Sequence, residues 1–142
     1  MLNKYHIYIL LFMLIPVAQA ATDCSVVTEI PVTECEALVD LYHSTDGENW
    51  RSNLGWNTDN TPCSWRGVTC SAGNVTKLNL HYNLLSGNIP ESLGNLNNLI
   101  DLRLTSNQLT GYIPTSFENL HNLHVLWLSG NRVWPRNKVY PL

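Results

Sequence analysis

The sequence predicts an α/β solenoid: a short repeat array with a parallel β-sheet on its concave face, closed at the N-terminal end by a helix-plus-hairpin cap. Three observations lead there. Leucine and asparagine, 22 and 17 residues, dominate a 142-residue chain in which Lys, Arg, Asp and Glu make only 13%, roughly half the usual charge content. The leucines are segregated, 3 of them in residues 21–74 and 15 in residues 75–142. The leucine-rich part also repeats with a period of 24, which indicates a stacked architecture.

Residues 1–20 read as a secretory signal and not as part of the fold. Lys4 gives a positive start, residues 7–18 form an apolar run, and Ala18-Gln19-Ala20 fits the small-x-small cleavage rule. That run of twelve falls short of the roughly 18–20 apolar residues needed to cross a bilayer. No second run follows, so no membrane span is expected after cleavage. Export to the extracellular space, or to the periplasm of a bacterium, is the expectation. Loss of Lys4 takes the net charge from −3 to −4. A chain this acidic lacks the basic footprint of a nucleic-acid binder.

An exported chain with Cys24, Cys35, Cys63 and Cys70 is expected to form disulfides. Of the three possible pairings, Cys24–Cys35 with Cys63–Cys70 is preferred because each closes a short local loop. The spacing lacks the C-x-x-C pairs usual for structural zinc, so no metal and no cofactor is expected.

Residues 21–74 form the cap. Thr33-Glu34-Cys35-Glu36 has capping-box form, with Thr33 as N-cap and Glu36 reaching back to its amide. Ala37, Leu38, Leu41 and Tyr42 then recur at helical spacing, and Ser44-Thr45-Asp46-Gly47 ends the helix with turn chemistry. Trp50, Trp56 and Trp65 are expected to make a small aromatic core, with a carbohydrate-binding platform as the alternative. Residues 68–70 and 75–77 are expected to pair as a hairpin across Ser71-Ala72-Gly73-Asn74.

Residues 75–98 and 99–122 are two full repeats, identical at eleven of 24 positions, and 123–142 is a partial third. The third keeps Leu126, Leu128 and Asn131 in register. It then departs, with Trp134-Pro135 where x-Gly is expected and Asn137-Lys138 in place of Ile-Pro. The pattern L-x-x-L-x-L-x-x-N-x-L-x-G-x-I-P resembles the 24-residue leucine-rich repeat. With the C-x-W-x-G-V-x-C ending of the cap at residues 63–70, it is similar to secreted bacterial leucine-rich repeat proteins, plant receptor ectodomains and plant polygalacturonase inhibitors.

Within each repeat the paired leucines, Leu78 and Leu80, Leu102 and Leu104, Leu126 and Leu128, point to one side of a short strand. Asn83, Asn107 and Asn131 sit where the chain leaves it, placed to bond neighbouring backbone as a ladder. The outward side is the surface on which solenoids commonly bind partners. Its columns are Lys77, Asp101 and Val125; Asn79, Arg103 and Trp127; and His81, Thr105 and Ser129, with Tyr82, Ser106 and Gly130 at the edge. Strands lie about 4.8 Å apart, so Lys77 is expected to pair with Asp101, and Arg103 to lie over Trp127. The candidate contact residues are Lys77, Asn79, His81, Tyr82, Asp101, Arg103, Thr105 and Trp127, with Trp127 first; its alternative role is to cover the end of the stack.

His121-x-x-His124 straddles a repeat boundary without a carboxylate at ligand spacing, and Asn74-Val75-Thr76 is a glycosylation sequon. No catalytic motif is present. The expected function is therefore a secreted, non-enzymatic recognition module for a protein or glycan. Inhibition of an extracellular polysaccharide hydrolase, implied by the resemblance, is the alternative, with a truncated remnant of a longer array as a third reading. Leu126, Leu128, Val133 and Trp134 near an uncapped C-terminal strand edge raise the expectation of self-association.

Overall fold

A computed structural model of the chain describes residues 21–135. The expected signal segment, residues 1–20, and the end of the partial third repeat, residues 136–142, lie outside the described residues. The described residues contain no helix long and apolar enough to cross a membrane.

The cap is built around α1, Val32–Ser44, which buries Cys35, Ala37, Leu38, Leu41 and Tyr42 along one face. Its start differs from the expected capping box. Pro31 precedes the first turn and its carbonyl accepts from the Glu34 and Cys35 amides, so Thr33 lies inside the helix. Proline supplies the entry geometry by its fixed φ, and no side chain is needed. The acid that matters is Glu34, buried at 3% exposure, whose Oε2 accepts from the Val75 amide at 2.7 Å. Burial pushes its carboxyl above the ordinary value, with the Val75 N–H acting in the opposite direction.

The three tryptophans form the predicted aromatic core. Trp50, Trp56 and Trp65 are all buried, with ring centroids 4.9 Å apart for the first pair and 5.1 Å for the second. Each indole N–H is satisfied, by the Thr45 carbonyl, the Arg66 carbonyl and the Asp59 carboxylate respectively. None is left as a flat exposed platform. Cys24 is bonded to Cys35 and Cys63 to Cys70, with Cα–Cα distances of 5.6 and 5.5 Å. The first ties α1 to the N-terminal segment, and the second closes the short 3-10 turn Pro62–Ser64 onto the hairpin.

That hairpin joins β1, Val68–Ser71, to β2, Asn74–Asn79. Its turn is tighter than expected, only Ala72 and Gly73, with φ of 48° and 73°. Two left-handed residues match the right-handed twist of the strands, as a two-residue hairpin requires. β2 is shared: it closes the cap on one side and starts the solenoid on the other. It pairs in parallel with β4, Asp101–Arg103, which pairs with β6, Val125–Trp127. The 24-residue register holds residue for residue, Leu78 opposite Leu102 opposite Leu126.

A second parallel sheet, unanticipated from the sequence, runs along the other side. It comprises β3, Ser86–Asn88, β5, Gln108–Tyr112, and β7, Arg132–Trp134. The third unit therefore keeps both of its strands, Val125–Trp127 and Arg132–Trp134, despite its departure from the pattern. Between the sheets the chain returns through 3-10 turns, Glu91–Asn95 and Thr115–Asn119, each entered through a proline. α1 packs on the first of these turns and the first packs on the second.

The core is continuous from the cap into the second repeat. Leu78, Leu80, Leu85, Leu102, Leu104 and Leu109 are all buried. The asparagine ladder is present with both halves of each amide in use. Asn107 Oδ1 accepts from the Asn83 and Leu85 amides, while its Nδ2 donates to the Leu80 and Leu104 carbonyls, all within 2.8–3.1 Å. Asn83 makes the corresponding pair with Ser52 of the cap, and Asn131 accepts from Leu109 and donates to Leu104 and Leu128.

Candidate functional site

The outward face of β2, β4 and β6 carries the candidate contact residues. Backbone bonds extend the parallel ladder beyond the strands: the Leu80 amide donates to Arg103 O, Tyr82 to Thr105 O, and Ser106 to Ser129 O. Six successive positions of each coil are thereby held in register with the next. Tyr82, Ser106 and Gly130, the edge column, share a left-handed backbone with φ of 51°, 57° and 73°. That shared bend ends the flat face at the same place in every coil.

At the centre of this face stands Arg103. Its Nε lies 2.9 Å from Asp101 Oδ1, and its guanidinium carbon is 4.4 Å from the centre of the Trp127 ring. The expected stacking of Arg103 on Trp127 is therefore present. The expected Lys77–Asp101 pair is not. Asp101 is taken by Arg103, two residues along on the same side of its own strand, whose guanidinium Trp127 already holds in place. Lys77 stays exposed on the neighbouring strand. Trp127 itself is 53% exposed, and such a contact is worth about 0.5–1 kcal/mol at an exposed site.

The remaining candidates divide. Asn79 and His81 are exposed and bonded to each other, Oδ1 to Nδ1, at 2.8 Å. Tyr82 is exposed, with the Arg51 guanidinium 4.3 Å over its ring. Thr105 is a correction. Its hydroxyl is buried without a hydrogen-bond partner, so this position does not present its Oγ1 to a ligand. Of the histidine pair outside the face, His124 has its Nδ1 2.6 Å from the Asn122 carbonyl. Arg51 is the residue that the sequence reading missed. It lies in the cap, and only the fold brings it beside the first repeat.

The face thus offers a charged, aromatic and amide-bearing surface in which Asp101, Arg103 and Trp127 hold one another, as do Asn79 and His81. Among the described residues no nucleophile–base pair is assembled on it.

Known proteins agree with this architecture. The model of the leucine rich repeat N-terminal domain matches residues 33–71, and that of the leucine rich repeat matches residues 73–133. A receptor protein kinase of Oryza sativa, WSS1, is 44% identical over 70 residues, 47% of this chain and 7% of the relative. The crystal structure of the BIR2 ectodomain from Arabidopsis thaliana is 35% identical with a TM-score of 0.60, over 80% of this chain and 58% of that one. The Arabidopsis receptor kinase HAESA, solved with the peptide hormone IDA and the co-receptor SERK1, is 32% identical with a TM-score of 0.62. That match covers 71% of this chain and 17% of HAESA. The chain thus spans under a tenth of the curated relative's length. The two family matches and the two ladders together make the chain a plant-type leucine-rich repeat protein with the N-terminal cap of that family.

Proposed function

We propose that this protein is an extracellular, non-enzymatic recognition module that binds a peptide segment of a partner across its concave face. The Arg103–Trp127 stack carries the reading. An exposed tryptophan held by an arginine, itself tethered to Asp101, is a rigid anchor of the kind that dominates protein interfaces. HAESA, which shares the fold, binds a peptide hormone. A protein ligand is favoured over a glycan because the three cap tryptophans are interior and offer no plane for a sugar ring.

The test is selection of binders from a phage-displayed peptide library on the immobilised protein, followed by affinity measurement on R103A and W127A. Each substitution is expected to weaken the selected peptides at least about ten-fold. The melting temperature should fall by no more than about 4 °C, since only an exposed contact is lost. Peptides that bind both variants as tightly as the parent, or a library that yields no binder, would overturn the reading.

A further inference from the structure

The cap, residues 21–74, carries eight carboxylates and only two cationic side chains, Arg51 and Arg66. Both arginines line a single open groove of about 490 Å³ where the cap meets the first concave strand, and none of the eight carboxylates does. Thr69, Asn79, His81 and Tyr82 complete its polar wall. A strongly acidic segment thus places all of its positive charge in one concavity.

The groove is held from both sides. The Arg51 amide donates to the Asn83 carbonyl and the next amide, Ser52, to Asn83 Oδ1, so this segment is fastened to the end of the asparagine ladder. Tyr82 then fixes the guanidinium from below. Arg66 follows the buried Trp65, and its carbonyl accepts from Trp56. Gly67 beside it has φ of 87° and presses against the Asn79 carbonyl so closely that a Cβ would overlap it. Among the described residues neither arginine is paired with a carboxylate. Two guanidinium groups with fixed roots and no counter-charge match a carboxylate, which a guanidinium fork can bind bidentately.

We propose that this groove binds an acidic residue of the peptide ligand, and so sets the register in which that peptide lies on the concave face. The proposal rests on the concave-face reading and adds the chemistry of one end of the ligand. Asn79 in the groove wall, Arg103 and Trp127 share one column on three successive strands. Two strand spacings amount to about 10 Å, the reach of about three extended residues. The ligand segment that runs from the groove wall at Asn79 to the seat on Trp127 is therefore about three residues long. A peptide is preferred to a uronate because the tyrosine ring in the groove is already covered by Arg51.

The experiment titrates the purified protein by calorimetry, at low salt, with capped pentaglutamate, capped pentaglutamine and trigalacturonate. Pentaglutamate should bind and pentaglutamine should not. The double variant R51Q/R66Q should lose at least about ten-fold in affinity, R51K/R66K less, and added salt should weaken the parent's binding. Pentaglutamate binding should survive W127A within about two-fold, because this probe engages the groove alone. Equal affinity of pentaglutamate for R51Q/R66Q with an unchanged melting temperature, or no binding to the parent, overturns the proposal. Trigalacturonate that binds through the arginines more tightly than pentaglutamate reassigns the groove to an acidic glycan and overturns the peptide. Groove and face fail separately: library peptides that still need Arg103 and Trp127 leave the face standing when pentaglutamate fails, and the converse holds.

Discussion

Leu102 and Leu126 occupy the same position of successive repeats and pair directly across adjoining strands, yet the first is fully buried and the second 41% exposed. Leu104 is buried while Leu128 is only half-buried, and Asn107 is buried while Asn131 is half-buried. The side chains and the local backbone are alike. What differs is the neighbour on the far side: the coil of Leu102 is covered by β2 and by β6, and that of Leu126 has a described strand on one side only. In a stacked array a consensus residue has no fixed value, because half of its burial belongs to the next coil.

The comparison breaks most visibly at the leucines. L102A removes a side chain enclosed on both sides and is expected to cost about 2–5 kcal/mol. L126A should cost no more than about 1 kcal/mol, since much of that surface meets water already. Chemical denaturation of the two variants decides the matter, and equal losses would mean that the end coil is covered as well as the middle one. The asparagines sharpen it. N107A strips the Asn83 and Leu85 amides of their acceptor at a buried site, and each orphaned donor costs about 1–3 kcal/mol. N131A strips only the Leu109 amide, and Asn131 itself is half-buried in the last described coil, so the smaller loss should fall there.

The smallest effect concerns the cap and depends on pH. Glu34 has its folded pKa raised, chiefly by burial, so its contribution is complete below the ordinary carboxylate value and is lost as pH rises through the folded value. E34Q keeps an oxygen for the Val75 amide and removes the ionisation. Melting temperatures compared between about pH 4 and pH 8 should show E34Q gaining on the parent as pH increases. A difference that shrinks over that range would mean that the carboxylate is stabilised in place, by partners stronger than the Val75 N–H.

Much of the fold is legible in the residues. The period of 24 is enough to set the register of β2, β4 and β6, because parallel strands of identical coils have only one way to place equivalent leucines on the same side. The columns of the outward face follow, and with them Arg103 over Trp127, since that contact lies between adjacent strands at a known spacing. The capping box failed because its motif was read locally. Pro31 ends the preceding segment and starts the helix, which carries Glu34 into the core and leaves Thr33 no amide to cap.

The sequence by itself therefore determined the repeat, its register, the two ladders and the pairing across the concave strands, all of which are periodic and need only neighbours at fixed spacing. The tertiary structure alone decided the rest. It gave Asp101 to Arg103 instead of Lys77, turned the Thr105 hydroxyl inward, and formed the second sheet from short segments with little strand character. It also gathered the only two cations of an acidic cap at the first repeat. The groove and the inward hydroxyl depend on how surfaces pack that no period relates. The second sheet does repeat with the coils, but its segments are short and carry little strand pattern of their own, and the Asp101 carboxylate had two cations within reach, between which spacing does not choose.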